Sequence, residues 1–139
     1  MPAGRKVRDL MTREVATLTA NDSLTIADDV MRLGRIRHMP VVDDDGQLVG
    51  IVSQRDLFRD ALARALGYGH HAQNKMLSML RVKEVMKSQV QTVTPDTPLA
   101  EAAAHMLRDK VGCLVVLDGG AIAGILTESD FVKLATQEA

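Results

Sequence analysis

One feature limits this chain more than any other: it says nearly the same thing twice. Displaced by 75 residues, Val7 falls on Val82, Met11 on Met86, Val15 on Val90 and Thr17 on Thr92. The same displacement carries Thr19 onto Thr94, Leu24 onto Leu99, Ala27 onto Ala102, Met31 onto Met106, Val41 onto Val116 and Asp43 onto Asp118. The loop Asp44–Gln47 is one residue longer than its counterpart. Beyond it a displacement of 74 brings Gly50 to Gly124, Ile51 to Ile125 and Asp56 to Asp130. Turn glycines and acids match as well as apolar positions, so shared hydrophobicity is a poor explanation. The chain is an internal duplication, and its fold must be one that two copies complete together.

Each copy carries the same string of local signals. A short extended piece (Val15–Leu18; Val90–Val93) leads into polar turn residues, with Asp22 and Thr97 as candidate N-caps and Pro98 suited to a first helical position. A helix follows. Leu24, Ala27, Val30 and Met31 share one face of it, as do Leu99, Ala102, Ala103 and Met106 in the second copy. Next come the β-rich runs Met39–Asp43 and Leu114–Asp118, each closed by an Asp/Gly turn and answered by a return arm, Leu48–Ser53 or Ile122–Thr127. Ser53 and Thr127 stand where an N-cap belongs, opening QRDLFRDALARAL and ESDFVKLAT as helices. The order is βαββα, twice. A three-stranded sheet with one apolar face cannot bury itself, so an α/β fold with the two sheets packed face to face and pseudo-two-fold symmetry is expected. The repeats run over 7–64 and 82–138. A connector at 65–81, centred on Gly67–Leu80, reads as a loop followed by a short helix or extended stretch. With 139 residues and 46% hydrophobic content, the whole is one module rather than two independent domains.

The strand-to-helix corner carries the chemistry. It reads Gly50-Ile51-Val52-Ser53-Gln54-Arg55-Asp56, and again Gly124-Ile125-Leu126-Thr127-Glu128-Ser129-Asp130. A hydroxyl at the N-cap and a carboxylate three residues on lie together in the first helical turn. Backbone N–H groups and the positive end of the helix dipole face the same spot, which suits a phosphate. The carboxylate can accept from two vicinal hydroxyls, as a ribose offers. Ser/Thr-x-x-Asp is also close to a capping box, in which the acid reaches back to the N-cap N–H. For a single copy the capping reading is the simpler one.

Two βαββα units in register, each with a DLM or xVM lead-in, a PVVD-type strand and a G-h-h-[ST]-x-x-D corner, resemble a CBS-domain pair over roughly Val7 to Thr136. The resemblance implies a regulatory module that binds an adenosine nucleotide of the AMP, ADP, ATP or NAD type. It also implies that the ribose and phosphate grip of one repeat faces a base pocket drawn largely from the other. Carried over by position, Thr127, Asp130 and Ile125 would face Val15, Ala16, Ile36, Arg37, His38, Met39 and Pro40. Ser53, Asp56 and Ile51 would face Val90, Gln91, Val111, Gly112, Cys113, Leu114 and Val115. The sequence departs from the family pattern at Val115, where the first repeat has Pro40, so the two sites are unequal. Arg37 and His38 can steady phosphates and Gly112 and Cys113 cannot, which favours the Thr127/Asp130 site. Pairs of this family associate through their helices, so a homodimer is expected.

Other functions fare poorly. The formal net charge is −1, with 17 basic and 18 acidic residues spread along the chain, and aromatic content is 2%. Neither an electrostatic footprint nor a stacking platform for nucleic acid is present. No apolar run approaches the ~20 residues that span a bilayer, and the opening MPAGRKVRDL lacks a secretory apolar stretch, so a cytoplasmic location is expected. No nucleophile, base, metal set or Walker-type loop stands at a recognisable spacing, and no catalytic cofactor is expected, so the chain reads as a non-enzyme. His70 and His71 read as a polar loop rather than a metal site. Cys113 reads as a small residue of the pocket wall and Met76, Met79 and Leu80 as packing. Arg13, Arg35, Arg55, Lys87 and Lys110 read as solvated surface charge. The alternative to nucleotide sensing is a nucleotide-independent dimerisation or interaction module, for which the Ala102–Ala104 run would allow close helix packing. In the sensing reading, ligand binding shifts the arrangement of the repeats and an effector protein responds.

Overall fold

A computed structural model of the chain describes residues 4–57 and 78–138. Two three-stranded sheets form, one from each repeat. In the first, β1 (Leu18–Thr19) runs parallel to β2 (His38–Val42), which pairs antiparallel with β3 (Leu48–Ser53). In the second, β4 (Thr92–Val93) runs parallel to β5 (Cys113–Asp118), which pairs antiparallel with β6 (Ala121–Thr127). Helix α1 (Leu24–Gly34) bridges β1 and β2, helix α2 (Leu99–Asp109) bridges β4 and β5, and α3 (Glu128–Glu138) follows β6. The helix expected after Ser53 is described only at its start, Gln54–Leu57, and the connector Gly67–Leu80 lies outside the described residues up to position 77.

The two compact units do not follow the repeat boundaries. One joins the residues up to Val15 to Val90–Ala139, and the other is Ala16–Gln89. Each repeat's lead-in therefore completes the sheet of the other repeat. Val7 N–H donates to the Thr97 carbonyl and Arg8 N–H to that of Pro95, at 2.9 and 3.0 Å. In the other unit Val82 N–H donates to the Asp22 carbonyl and Lys83 N–H to that of Ala20, at 2.8 and 2.9 Å. Val7 is fully buried with Leu99, Ala102, Met106, Leu114, Val116 and Leu126, and Val82 with Leu24, Ala27, Met31, Met39, Val41 and Val52. The helical faces expected from the 3.6-residue period supply these cores. Val30 packs on the rim of its core, whereas Ala103 is only half-buried.

Two glycines make the exchange possible. A Cβ on Gly124 would lie 2.8 Å from the Thr12 carbonyl oxygen and 2.9 Å from Met11 Sδ. A Cβ on Gly50 would lie 3.0 Å from the Lys87 carbonyl oxygen and 2.5 Å from Met86 Sδ. The lead-in lies so close to the sheet at these points that only a residue without a side chain fits.

Several local expectations shift by a residue or more. The extended pieces expected at Val15–Leu18 and Val90–Val93 join the ladders only at Leu18–Thr19 and Thr92–Val93. The N-cap of α1 is Ser23, whose side chain accepts from Ile26 N–H, and the cap position of α2 is Pro98. Asp22 and Thr97, expected as caps, instead accept from Thr19 N–H and Thr94 N–H. Their short polar side chains close the turn before the helix rather than its first turn, a competing use of the same residue types. Both helices end on a basic residue in the left-handed conformation, Arg35 at φ 53° and Lys110 at φ 54°, each returning its N–H to a methionine carbonyl one turn back.

Candidate functional site

In the second repeat the corner is built by β6 running into α3. Cys113 pairs with Thr127, Leu114 with Leu126 and Val115 with Ile125. Asp130 is buried, at 5% exposure. Its Oδ2 accepts from the Thr127 N–H at 2.9 Å and from Thr127 Oγ1 at 3.3 Å, and its Oδ1 accepts from Thr12 Oγ1 at 3.1 Å. Among the described residues no cation pairs with it. Thr12 is held there by backbone, since its N–H donates to the Ile125 carbonyl at 2.8 Å and its carbonyl accepts from Ile125 N–H at 2.9 Å. The Glu128 N–H, first of α3, donates to the Gly112 carbonyl at 3.2 Å.

The first repeat repeats this geometry with different chemistry. His38 pairs with Ser53, Met39 with Val52 and Pro40 with Ile51. Ser53 Oγ accepts from the Asp56 N–H at 3.1 Å, and the Gln54 N–H donates to the Arg37 carbonyl at 2.8 Å. Ile51 and Lys87 exchange two backbone bonds at 2.9 Å, which sets Lys87 in the place that Thr12 holds in the other corner. Its ammonium lies 3.6 Å from Asp56 Oδ2. The capping reading of Ser/Thr-x-x-Asp is thus realised in both corners: the hydroxyl arm in one, the carboxylate arm in the other. Of the first helical N–H groups, those of Arg55, Ser129 and Asp130 take no part in these bonds.

The strand residues differ too. Val115 N–H donates to the Gln91 carbonyl at 3.1 Å. Pro40, its counterpart, has no N–H, so the Ala16 carbonyl receives no such bond, and β1 opens at Leu18 whereas β4 opens at Thr92, the counterpart of Thr17. The Gln91 side chain is engaged as well, its Oε1 2.6 Å from His105 Nε2, which also lies 3.0 Å from Asp109 Oδ2. Met39, Pro40, Cys113 and Leu114 are buried, Ile36, His38, Val15, Val90, Gln91 and Gly112 half-buried, and Ala16 and Arg37 exposed. Burial and the Asp130 carboxylate push the Cys113 thiol up to about 12, so it stays protonated and is no nucleophile at neutral pH. Val15 lies in the unit that holds Thr127, while Ala16 and Ile36–Pro40 lie in the unit that holds Ser53.

Lys87, expected as solvated surface charge, pairs with Asp56, and Thr12, which no motif marks, bonds to Asp130. The signal was present: the displacement that matches Met11 with Met86 also matches Thr12 with Lys87. A depression of about 480 Å³, bordered by Thr94, Thr97, Glu101, His105, Leu117 and Gly119, opens at the far end of β5 from Cys113 and is lined by none of the candidate site residues. Among the described residues no group of three His, Cys, Asp or Glu is placed to hold a metal ion, and no helix is long and apolar enough to cross a membrane.

Two three-stranded sheets, each built on one repeat and each running from its last strand into a hydroxyl–carboxylate corner, define a tandem-repeat α/β module. The family model for the CBS domain matches residues 7–63 and 82–136, and the chain belongs to the CBS-domain family. It is 33% identical over 129 residues to a CBS domain-containing protein of Dictyostelium discoideum, covering 92% of this chain and 89% of that one. The solved CBS domain pair of protein MJ0100, in complex with 5′-methylthioadenosine and S-adenosyl-L-methionine, superposes with a TM-score of 0.79 at 29% identity, covering 99% of this chain and 100% of that one. CBSX2 in complex with AMP superposes with a TM-score of 0.77 at 29% identity, covering 97% and 98%. The chain spans less than a third of the length of several longer curated relatives that it matches, some of which carry enzyme names.

Proposed function

We propose that this chain is a regulatory module, not an enzyme, that binds an adenosine nucleotide of the AMP, ADP, ATP or NAD type in the cleft between its two repeats and signals to an effector protein through a change of conformation. The carrying observation is the Asp130 carboxylate, buried and, among the described residues, satisfied by two hydroxyls and one N–H rather than by a cation. Such a carboxylate can exchange the Thr12 or Thr127 hydroxyl for a ribose hydroxyl, donor for donor, without stranding a charge. In one unit the Ala16 carbonyl, to which Pro40 can give no N–H, is an acceptor of the kind a purine amino group takes, and in the other the Ser129 N–H at the start of α3 is a donor of the kind a phosphate takes. The bound adenosine compounds of the two solved relatives support the ligand class. A cytoplasmic homodimer acting on another chain, with neither nucleic acid nor membrane as partner, completes the proposal.

The test is a thermal-shift series with AMP, ADP, ATP and NAD, followed by titration calorimetry on the wild type, Thr127→Ala and Asp130→Ala. Selective binding to the folded state raises the melting temperature with ligand concentration. Wild-type binding that both substitutions weaken supports the site; equal affinity in all three proteins refutes it. The second reading, a nucleotide-independent interaction module, draws on the exposed Leu33, Leu107 and Val132 side chains. It is favoured if no adenosine compound shifts the transition.

A further inference from the structure

Thr12 and Lys87 occupy one structural position in two copies. Each exchanges two backbone hydrogen bonds with the first residue after the corner glycine, Ile125 or Ile51, at 2.8–2.9 Å. Each points its side chain at the corner carboxylate, Thr12 Oγ1 at 3.1 Å from Asp130 and Lys87 Nζ at 3.6 Å from Asp56. The backbone is fixed in both cases, so only the side chain distinguishes them. A threonine offers one neutral donor. A lysine offers a full charge on a flexible stem with three rotatable donors.

The Lys87–Asp56 pair is poorly suited to a purely structural role. The lysine side chain is 68% exposed, and at 3.6 Å the contact is a loose ion pair. A loose pair with one well-exposed partner contributes little, so a ligand can open it at little cost. Lys87 thus acts as a displaceable counter-ion that covers the carboxylate oxygen a sugar diol would use. Once displaced, its ammonium stays tethered by the backbone exchange with Ile51 beside the same corner, able to make a charge-assisted contact with an anionic group of a ligand.

We propose that Lys87 adds a selectivity for phosphate-bearing nucleosides at the Asp56 corner that Thr12, in the matching position, does not add at the Asp130 corner. This rests on the reading of the corners as nucleoside sites. Lys87 competes with the hydroxyls of an unphosphorylated nucleoside and gives nothing back, whereas a nucleotide returns a charge-assisted contact. The two ligand classes are therefore pushed in opposite directions by one side chain.

Titration calorimetry on the full chain with adenosine and with AMP tests this, Asp56→Asn identifying the heat that belongs to the first corner. Lys87→Met should lower the AMP-over-adenosine affinity ratio at that site about fivefold, on the scale of one partly exposed charge contact. Lys87→Arg should retain the wild-type ratio, and Thr12→Lys should raise the ratio at the other corner. A Lys87→Met ratio within twofold of wild type, or AMP and adenosine weakened alike, overturns the selectivity assignment and leaves the nucleoside reading standing. If wild-type protein binds neither compound at an Asp56-dependent site, the nucleoside reading of that corner fails and takes this inference with it.

Discussion

Val115 gives its N–H to the Gln91 carbonyl at 3.1 Å, and Pro40, in the same position of the first repeat, has none to give Ala16. One proline thereby shortens a ladder and, among the described residues, leaves without a backbone donor the carbonyl whose twin has one. A purine with a 6-amino group needs such an acceptor; a 6-oxo purine needs a donor. Pro40→Val restores the N–H, so it should reduce the preference for adenosine over inosine by up to about tenfold, the scale of one hydrogen bond, without lowering the melting temperature. Competitive calorimetry with the two nucleosides measures this. An unchanged preference would detach the Ala16 carbonyl from base reading.

The corner glycines should differ in tolerance. At Gly124 an added methyl meets a backbone oxygen at 2.8 Å, and at Gly50 its hardest neighbour is a backbone oxygen at 3.0 Å, the closer Met86 sulfur being the movable part of a flexible side chain. Gly124→Ala should destabilise by about 2–3 kcal/mol and Gly50→Ala by about 1–2 kcal/mol, the range of overpacking a filled interior. Urea denaturation of the two variants decides the order.

These glycines also show how far the sequence could be read. The duplication, the βαββα order, both apolar helix faces and both hydroxyl–carboxylate corners follow from period and spacing alone. That the lead-ins change places does not follow. Val7 and Val82 are equivalent residues in equivalent sequence, and nothing local distinguishes packing on one's own sheet from packing on the other's. The caps slipped for a related reason: Asp22 and Ser23 are both competent caps, and the turn hydrogen bond to Thr19 decides between them. Thr12 is not legible in the sequence because a threonine in a lead-in carries no motif. It becomes meaningful only when Asp130 is seen 118 positions away in sequence and 3.1 Å away in space.

Cys113 should be silent in the native protein. Its thiol is held up near 12 by burial, with the Asp130 charge adding to the effect, against an ordinary value of 9.0. A thiol-specific chromogenic reagent at pH 8 should label it only when denaturant is added. The linkage has a definite sign. Above the unfolded value the unfolded chain loses a proton that the folded chain keeps, so this group lowers stability as pH rises from about 9 towards 12. Cys113→Ala should flatten that alkaline decline, and identical pH profiles for both proteins would contradict the assignment.

Arg35 and Lys110 hold the left-handed conformation without being glycine. Relief of the Cβ crowding is partly offset by the greater freedom of glycine in the unfolded chain. Lys110→Gly and Arg35→Gly should each raise stability by up to about 1 kcal/mol, visible as a higher melting temperature. A fall in both would show that their side chains contribute more than their backbone costs.

The traded lead-ins reach back to the origin of the duplication. A polypeptide carrying one such repeat would have a glycine-lined groove with nothing to fill it and an arm with nothing to lie on. Two separate copies could cure both defects by lending each other their arms. Fusing the genes would then have preserved an old handshake inside a single chain, and freed each half to change on its own, as the proline, lysine and threonine of this protein have done.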